Sequence, residues 1–155
     1  MKTIKAREVF DPTLTLSVTV PDTETLENVI VKLASDPRLR GIFLTDSRMR
    51  VAGVITRPDL LRWAALKLRR SHEIEELTTR HILNRVTATL ARDLARGDWH
   101  TLGVKLEDDM GKALDQMLEN DEVDIPAIDD EGRILGDIKI SEVLLKAVQV
   151  GRARS

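Results

Sequence analysis

The sequence has no cysteine and no tyrosine, and its only aromatic residues are Phe10, Phe43, Trp63 and Trp99. Without thiols there is no disulfide, no zinc-thiolate site and no cysteine nucleophile. Four scattered rings do not make a stacking surface for single-stranded nucleic acid. No apolar run approaches the roughly 20 residues of a membrane span, and residues 1–7 lack the apolar stretch of a signal peptide. A cytoplasmic location without a membrane partner is the expectation. Charge of one sign is missing too: 24 Lys and Arg against 26 Asp and Glu leave a net charge of −2, which argues against nucleic acid as a partner. The basic run Arg57, Arg62, Lys67, Arg69, Arg70 is answered by Glu73, Glu75 and Glu76 and reads as a solvated or salt-bridged rim. Walker loop, Gly-x-Ser-x-Gly elbow and paired-carboxylate motif are all absent, so an enzyme is not expected. His72, Glu75 and Glu76 share helical spacing without a further ligand, and His81 and His100 stand alone, so no metal site is assigned.

What is present is a globular composition, 42% hydrophobic and 32% charged over 155 residues, with a pattern that occurs twice. A separation of 83 positions links Asp46 to Asp129, Gly53 to Gly136 and Leu61 to Leu144. Around these anchors each copy reads strand, helix, strand, strand, helix. Leu14, Leu16, Val18 and Val20 alternate with polar residues, as a half-buried strand does, and Leu102, Val104 and Leu106 repeat this more briefly. Leu26, Val29, Ile30 and Leu33 form a helical stripe capped by Asp22 or Thr23; Met110, Ala113, Leu114, Met117 and Leu118 form its counterpart after the capping pair Asp108–Asp109. Two apolar strands joined by a tight polar turn predict hairpins, 42–45 with 51–55 and 125–128 with 134–138. The closing helices carry Leu60, Leu61, Ala64, Leu68 and Val143, Leu144, Ala147, Val148. One such unit buries little surface alone, so two should share a core. The expected organisation is residues 1–70 and 93–155 as repeats, with a helical connector over 71–92.

The doubled β-α-β-β-α pattern, with Gly53-Val54-Ile55-Thr56-Arg57-Pro58-Asp59 opening a helix, resembles a tandem pair of CBS domains, or Bateman module. The fold class is therefore α/β in the α+β sense, two repeats packed about a pseudo-two-fold axis. The resemblance implies a regulatory, non-catalytic module with two clefts between the repeats. Such clefts hold adenosine-containing ligands such as AMP, ATP or S-adenosylmethionine, and such modules pair as homodimers. Trp63, in the apolar stretch from Leu60 to Leu68, fits a dimer face.

At the first motif, a strand ending in Thr56 and passing into a helix through Pro58 offers a hydroxyl and free N–H groups at a helix N-terminus. Asp59 has two acceptor oxygens for ribose hydroxyls, and Arg57 could take phosphates. Thr56 and Asp59 are equally suited to plain capping. By the resemblance, Val123 and Asp124 face this cleft from the second repeat. Asp124 has the wrong sign for phosphate there, since a like-charge contact at 4 Å costs roughly 4 kcal/mol at an effective dielectric of 20. In the other cleft Thr13, Val18 and Arg40 would face Lys139, Ser141 and Glu142, where Lys139 replaces Thr56 and Glu142 replaces Asp59. Two readings stay open: a sensor of an adenosine-containing ligand acting on an unknown effector protein, and a ligand-free dimerisation or adaptor module with degenerate clefts.

Overall fold

The structure is a computed structural model that describes residues 3–12, 17–68, 88–120 and 124–153. The readings placed on Thr13, Leu14, Leu16, Val123, Arg69, Arg70, His72, Glu73, Glu75, Glu76 and His81, and on residues 71–87 of the connector, lie outside the described residues; the rest of the connector, 88–92, is described and leads into a 3₁₀ turn over Ala91–Asp93. The elements are β1 (Ser17–Pro21), α1 (Leu26–Ser35), β2 (Gly41–Thr45), β3 (Val51–Ile55), α2 (Arg57–Leu68), β4 (Val104–Lys105), α3 (Met110–Asn120), β5 (Asp124–Ile128), β6 (Ile134–Lys139) and α4 (Ile140–Ala153). They form two three-stranded sheets of order β1-β2-β3 and β4-β5-β6, in which the first pair is parallel and the second antiparallel. Each parallel pair is bridged by its helix, and each antiparallel pair is a hairpin, the α/β repeat that the pattern predicts.

The two hairpin turns are built alike. The Asp46 carboxylate accepts from the Arg48 and Arg50 N–H groups and from Arg50 Nε; Asp129 accepts likewise from Glu131, Arg133 and Arg133 Nε. These bonds hold both carboxyls below their ordinary value, against the opposing pull of desolvation. Arg50 and Arg133, equivalent residues of the two copies, pair with each other in an isolated antiparallel bridge. A residue paired with its own counterpart lies on the axis that relates the copies, so this bridge marks the pseudo-two-fold. The turns differ at one place: Gly132 has φ 84°, and its equivalent is Met49 at φ 65°. A side chain in this left-handed conformation costs about 1 kcal/mol. Met49→Gly should therefore raise stability by about 0.5–1 kcal/mol, read as the midpoint shift in urea denaturation.

Two sequence readings need correction. The start of α1 is capped not by Asp22 or Thr23 but by Thr25, whose hydroxyl accepts from Asn28 N–H at 3.2 Å. The predicted stripes are also only half buried: Leu60, Met110, Ala113, Met117 and Val143 are inside, whereas Leu61, Leu68, Leu118 and Leu144 face outward. The short β4 has a cause. Pro126 stands where the first repeat has Phe43, and without an N–H it limits pairing to Ala127 and Ile128.

The core is assembled by exchange between the copies. Ala6 and Val9, in and beside a short 3₁₀ turn, are buried with Val104, Met110, Ala113, Ile125 and Val143 of the second repeat. Ala91 and Leu94, in the matching turn, are buried with Val20, Leu26, Val29, Ile42 and Ile55 of the first. The backbone repeats the exchange. Ala6 N–H donates to Asp108 O and Met110 N–H to Ile4 O; Ala91 N–H donates to Glu24 O and Leu26 N–H to Thr89 O. Each motif glycine makes room for the crossing segment. A Cβ on Gly53 would lie 2.7 Å from Ala95 Cβ, and one on Gly136 2.8 Å from Phe10 Cε2. A third small cluster, Phe43, Val54 and Leu102, packs between the two halves.

Candidate functional site

Both helix starts after the glycine strands use the same device with different residues. At the first, Thr56 and Asp59 form a reciprocal capping box: Asp59 N–H donates to Thr56 Oγ1 at 3.2 Å, and Thr56 N–H donates to Asp59 Oδ2 at 3.1 Å. Asp59 is only 6% exposed, yet two guanidinium groups stand beside it, Arg62 Nη1 at 3.6 Å from Oδ1 and Arg96 Nε at 3.8 Å from Oδ2. Arg96 is held there by a two-way backbone bridge to Val54. Arg57 is engaged elsewhere, its Nη2 donating to the carbonyls of Pro37 and Leu39 at 3.1 and 2.8 Å. Among the described residues, the first motif therefore presents one capping carboxylate flanked by two guanidinium groups.

At the second, Glu142 again reaches back to the N–H of the preceding strand end, Lys139, at 3.4 Å. Where the first copy has a hydroxyl, the Lys139 ammonium runs inward. Lys139 is 1% exposed, and its Nζ lies 3.1 Å from Glu142 Oε1 and 3.1 Å from Asp137 Oδ1. Burial pulls its pKa down, but Glu142 and Asp137 outweigh burial and hold it above its ordinary value, so it stays charged. Ser17, from the first repeat, donates toward Asp137 Oδ2 at 2.9 Å and lies 3.4 Å from Asp124 Oδ2. Asp124 is 1% exposed, and its Oδ1 has no hydrogen-bond partner among the described residues. Burial, and next the Asp137 charge, push the Asp124 carboxyl up to about 6.

Of the sequence-predicted residues, the structure brings together Thr56 with Asp59, and Asp124 with Lys139 and Glu142. Arg40 is exposed but close enough to Asp124 to act on its charge. Among the described residues no hydrogen bond or ion pair joins Asp124 to Thr56 or Asp59. Val18 packs against the core of the first repeat, and Ser141 is exposed on the first turn of α4. Sequence reasoning missed Arg96, Ser17 and Asp137. Arg96 follows Ala91-Arg92-Asp93-Leu94, a variant of Ala6-Arg7-Glu8-Val9, and that weak second repeat was the available signal. Gln116, also missed, is structural, bonding both ways to the Gly103 backbone at 3.0 Å. Among the described residues no three His, Asp or Glu gather to hold a metal ion, and no helix is long and apolar enough to cross a membrane.

Residues 7–66 match the sequence profile of the CBS domain. The same fold recurs in solved structures along nearly the whole chain. A CBS domain protein from Pyrobaculum aerophilum, solved with AMP, is 19% identical with a TM-score of 0.67, over 98% of this chain and 100% of that one. The chain has the fold of these CBS domain proteins. A CBS domain-containing protein from Thermotoga maritima shares 18% identity at a TM-score of 0.70, over 94% of this chain and 95% of its own. The CBS domain pair of protein MJ0100, solved with 5′-methylthioadenosine and S-adenosyl-L-methionine, shares 10% identity at a TM-score of 0.64, over 97% and 99% of the two chains. No curated protein matches this chain by sequence.

Proposed function

We propose that this chain is a tandem CBS-domain pair, a non-catalytic regulatory module that senses an adenosine-containing ligand, of the AMP, ATP or S-adenosylmethionine class, and transmits it through a homodimer to an effector protein. The observation that carries this reading is the start of α2. Asp59 is fixed by its capping box with Oδ1 outside that box, the acceptor a ribose hydroxyl needs, and Arg62 and Arg96 beside it supply positive charge for a phosphate. Solved relatives of the same fold carry AMP, and one carries S-adenosyl-L-methionine. The test is calorimetry and thermal shift with AMP, ADP, ATP, S-adenosylmethionine and NAD. Asp59→Ala should weaken binding by about 1.5–3 kcal/mol per charged hydrogen bond lost, roughly ten- to hundredfold. Unchanged affinity in a folded Asp59→Ala protein would leave Thr56 and Asp59 as a cap alone.

The homodimer rests on outward apolar side chains on two helices, with Leu61 70% and Leu68 87% exposed on α2, and Leu144, Leu145 and Val148 exposed on α4. Beside α2, Ile30, Leu33, Leu60, Leu61 and Trp63 line an apolar groove of about 470 Å³. Light scattering should give a mass near twice the 17.4 kDa of one chain; a monomer at micromolar concentration would rule the dimer out. The ligand-free adaptor reading is favoured by the second motif, where Lys139 already pairs with Glu142 and Asp137. A panel without any thermal shift in a dimeric protein would select it.

A further inference from the structure

The two motifs differ in a way that sets how many ligands the module can take. We infer that Lys139 is an internal occupant of the second motif, so that each chain binds a single anionic adenosine ligand, at the first motif only. This rests on the reading of the first motif given above. Three positions carry the difference. Asp124, Asp137 and Lys139, each 1% exposed, stand where the first repeat has the uncharged Gly41, Val54 and Thr56. In the first repeat the acid that closes the motif, Asp59, keeps Oδ1 outside the capping box, with only a surface arginine 3.6 Å away. In the second, both oxygens of the equivalent Glu142 are engaged by one residue, Oε1 by Lys139 Nζ and Oε2 by Lys139 N–H. The ammonium thus sits where a ligand hydroxyl would have to donate. It cannot leave at low cost, because departure would take the cation away from two carboxylates at once, Asp137 and Glu142.

Charge separates the motifs in the same sense. Among the described residues, two guanidinium groups stand beside the single carboxylate of Asp59. Around Glu142 the buried ionisable groups among the described residues are Asp124, Asp137 and Lys139, so there acids outnumber the internal cation and oppose a phosphate. The exposed Arg40 offsets this only from the surface.

The experiment is calorimetric titration with AMP of the wild type and of the double variant Asp137→Val with Lys139→Thr, which copies the first repeat's residues into the second. The wild type should bind one equivalent per chain, and the folded double variant two. Two equivalents in the wild type would overturn the inference, and this readout does not depend on the variant folding. A single equivalent in the double variant would overturn it as well. If the wild type binds no AMP, the reading of the first motif fails. The single-ligand count falls with it, and Lys139 as the occupant of the second motif stands only if the double variant gains one equivalent. As a second native readout, amine labelling followed by mass spectrometry should leave Lys139 unmodified with and without AMP; labelling at the rate of Lys112, a surface lysine, would overturn the internal pairing.

Discussion

Removing the chain up to and including Phe10 should destabilise the protein by about 4 kcal/mol, a large part of the 5–15 kcal/mol that a domain of this size has in total. The segment looks peripheral, since it precedes every strand. It is not. Ala6 is wholly buried and Val9 nearly so, Ile4 and Phe10 pack against the same cluster, and all four lie on the second repeat. Burial of one large apolar side chain contributes about 1.5–3 kcal/mol, and the segment also supplies the carbonyl of Ile4 and the N–H groups of Ala6 and Arg7 to the backbone around Met110. Salt bridges of Lys5 and Arg7 with Glu107 are exposed and add little. The loss should fall first on the second repeat, whose core loses its lid, while Ala91 and Leu94 still cover the first. Trp99 packs against the second hairpin turn at Gly132, at the seam where its N–H donates to Val51 O, and Trp63 against the first core, so the two tryptophans sit in different surroundings. Urea denaturation of single-tryptophan variants should show the Trp99 transition moving to lower urea than the Trp63 transition. A common midpoint within about 0.5 kcal/mol of the full-length protein would exclude this exchange of lids.

The repeat was legible because its anchors are local. An Asp-turn, a glycine strand and a helix start each occupy a few residues, and both hairpins form where the alternation places them. The exchange was not legible, since Ala6–Val9 and Ala91–Leu94 make their contacts about a hundred residues away or on the other copy, and periodicity within a window carries no such information. Leu61 and Leu144 fall on the helical stripes yet face outward, because the stripe rule counts apolar residues without knowing how wide the covered face is. The burial of Lys139 had a signal that went unused. Asp137 and Lys139 lie two apart on one strand and so share a face, and Glu142 is three residues on, in the first helical turn, so the spacing Asp-x-Lys-x-x-Glu alone places two acids around one amine. Nothing in the sequence announced Ser17 as their partner, because it arrives from the other repeat.

Asp124 gives the protein a pH dependence opposite to that of most carboxylates. Asp93 and Asp108 are held below 3.8 in the folded state and stabilise it down to that range. Asp124 is pushed up from 3.8 to about 6, by burial first and by the Asp137 charge second, while Arg40, Lys139 and the Ser17 hydroxyl pull the other way. A group with a raised folded pKa binds its proton more readily folded than unfolded. Its favourable contribution is therefore fully present at the acid end, falls as pH rises from about 4 to 6, and is gone above that; two units correspond to about 3 kcal/mol. Asp124→Asn keeps the size and removes the charge, and the amide can donate to Asp137 Oδ2 or accept from Ser17. The variant should be more stable than the wild type at pH 7.5 by about 2 kcal/mol, after the cost of whatever amide hydrogen bonds stay unmet. At pH 4, where the wild-type carboxyl is already protonated in the folded state, the two should agree. The measurement is urea denaturation of both proteins at pH 4, 5, 6 and 7.5, and the decisive quantity is the difference between them, in which every other titrating group cancels. A difference that stays flat across this range would mean that Asp124 titrates alike folded and unfolded, which its burial beside Asp137 does not allow.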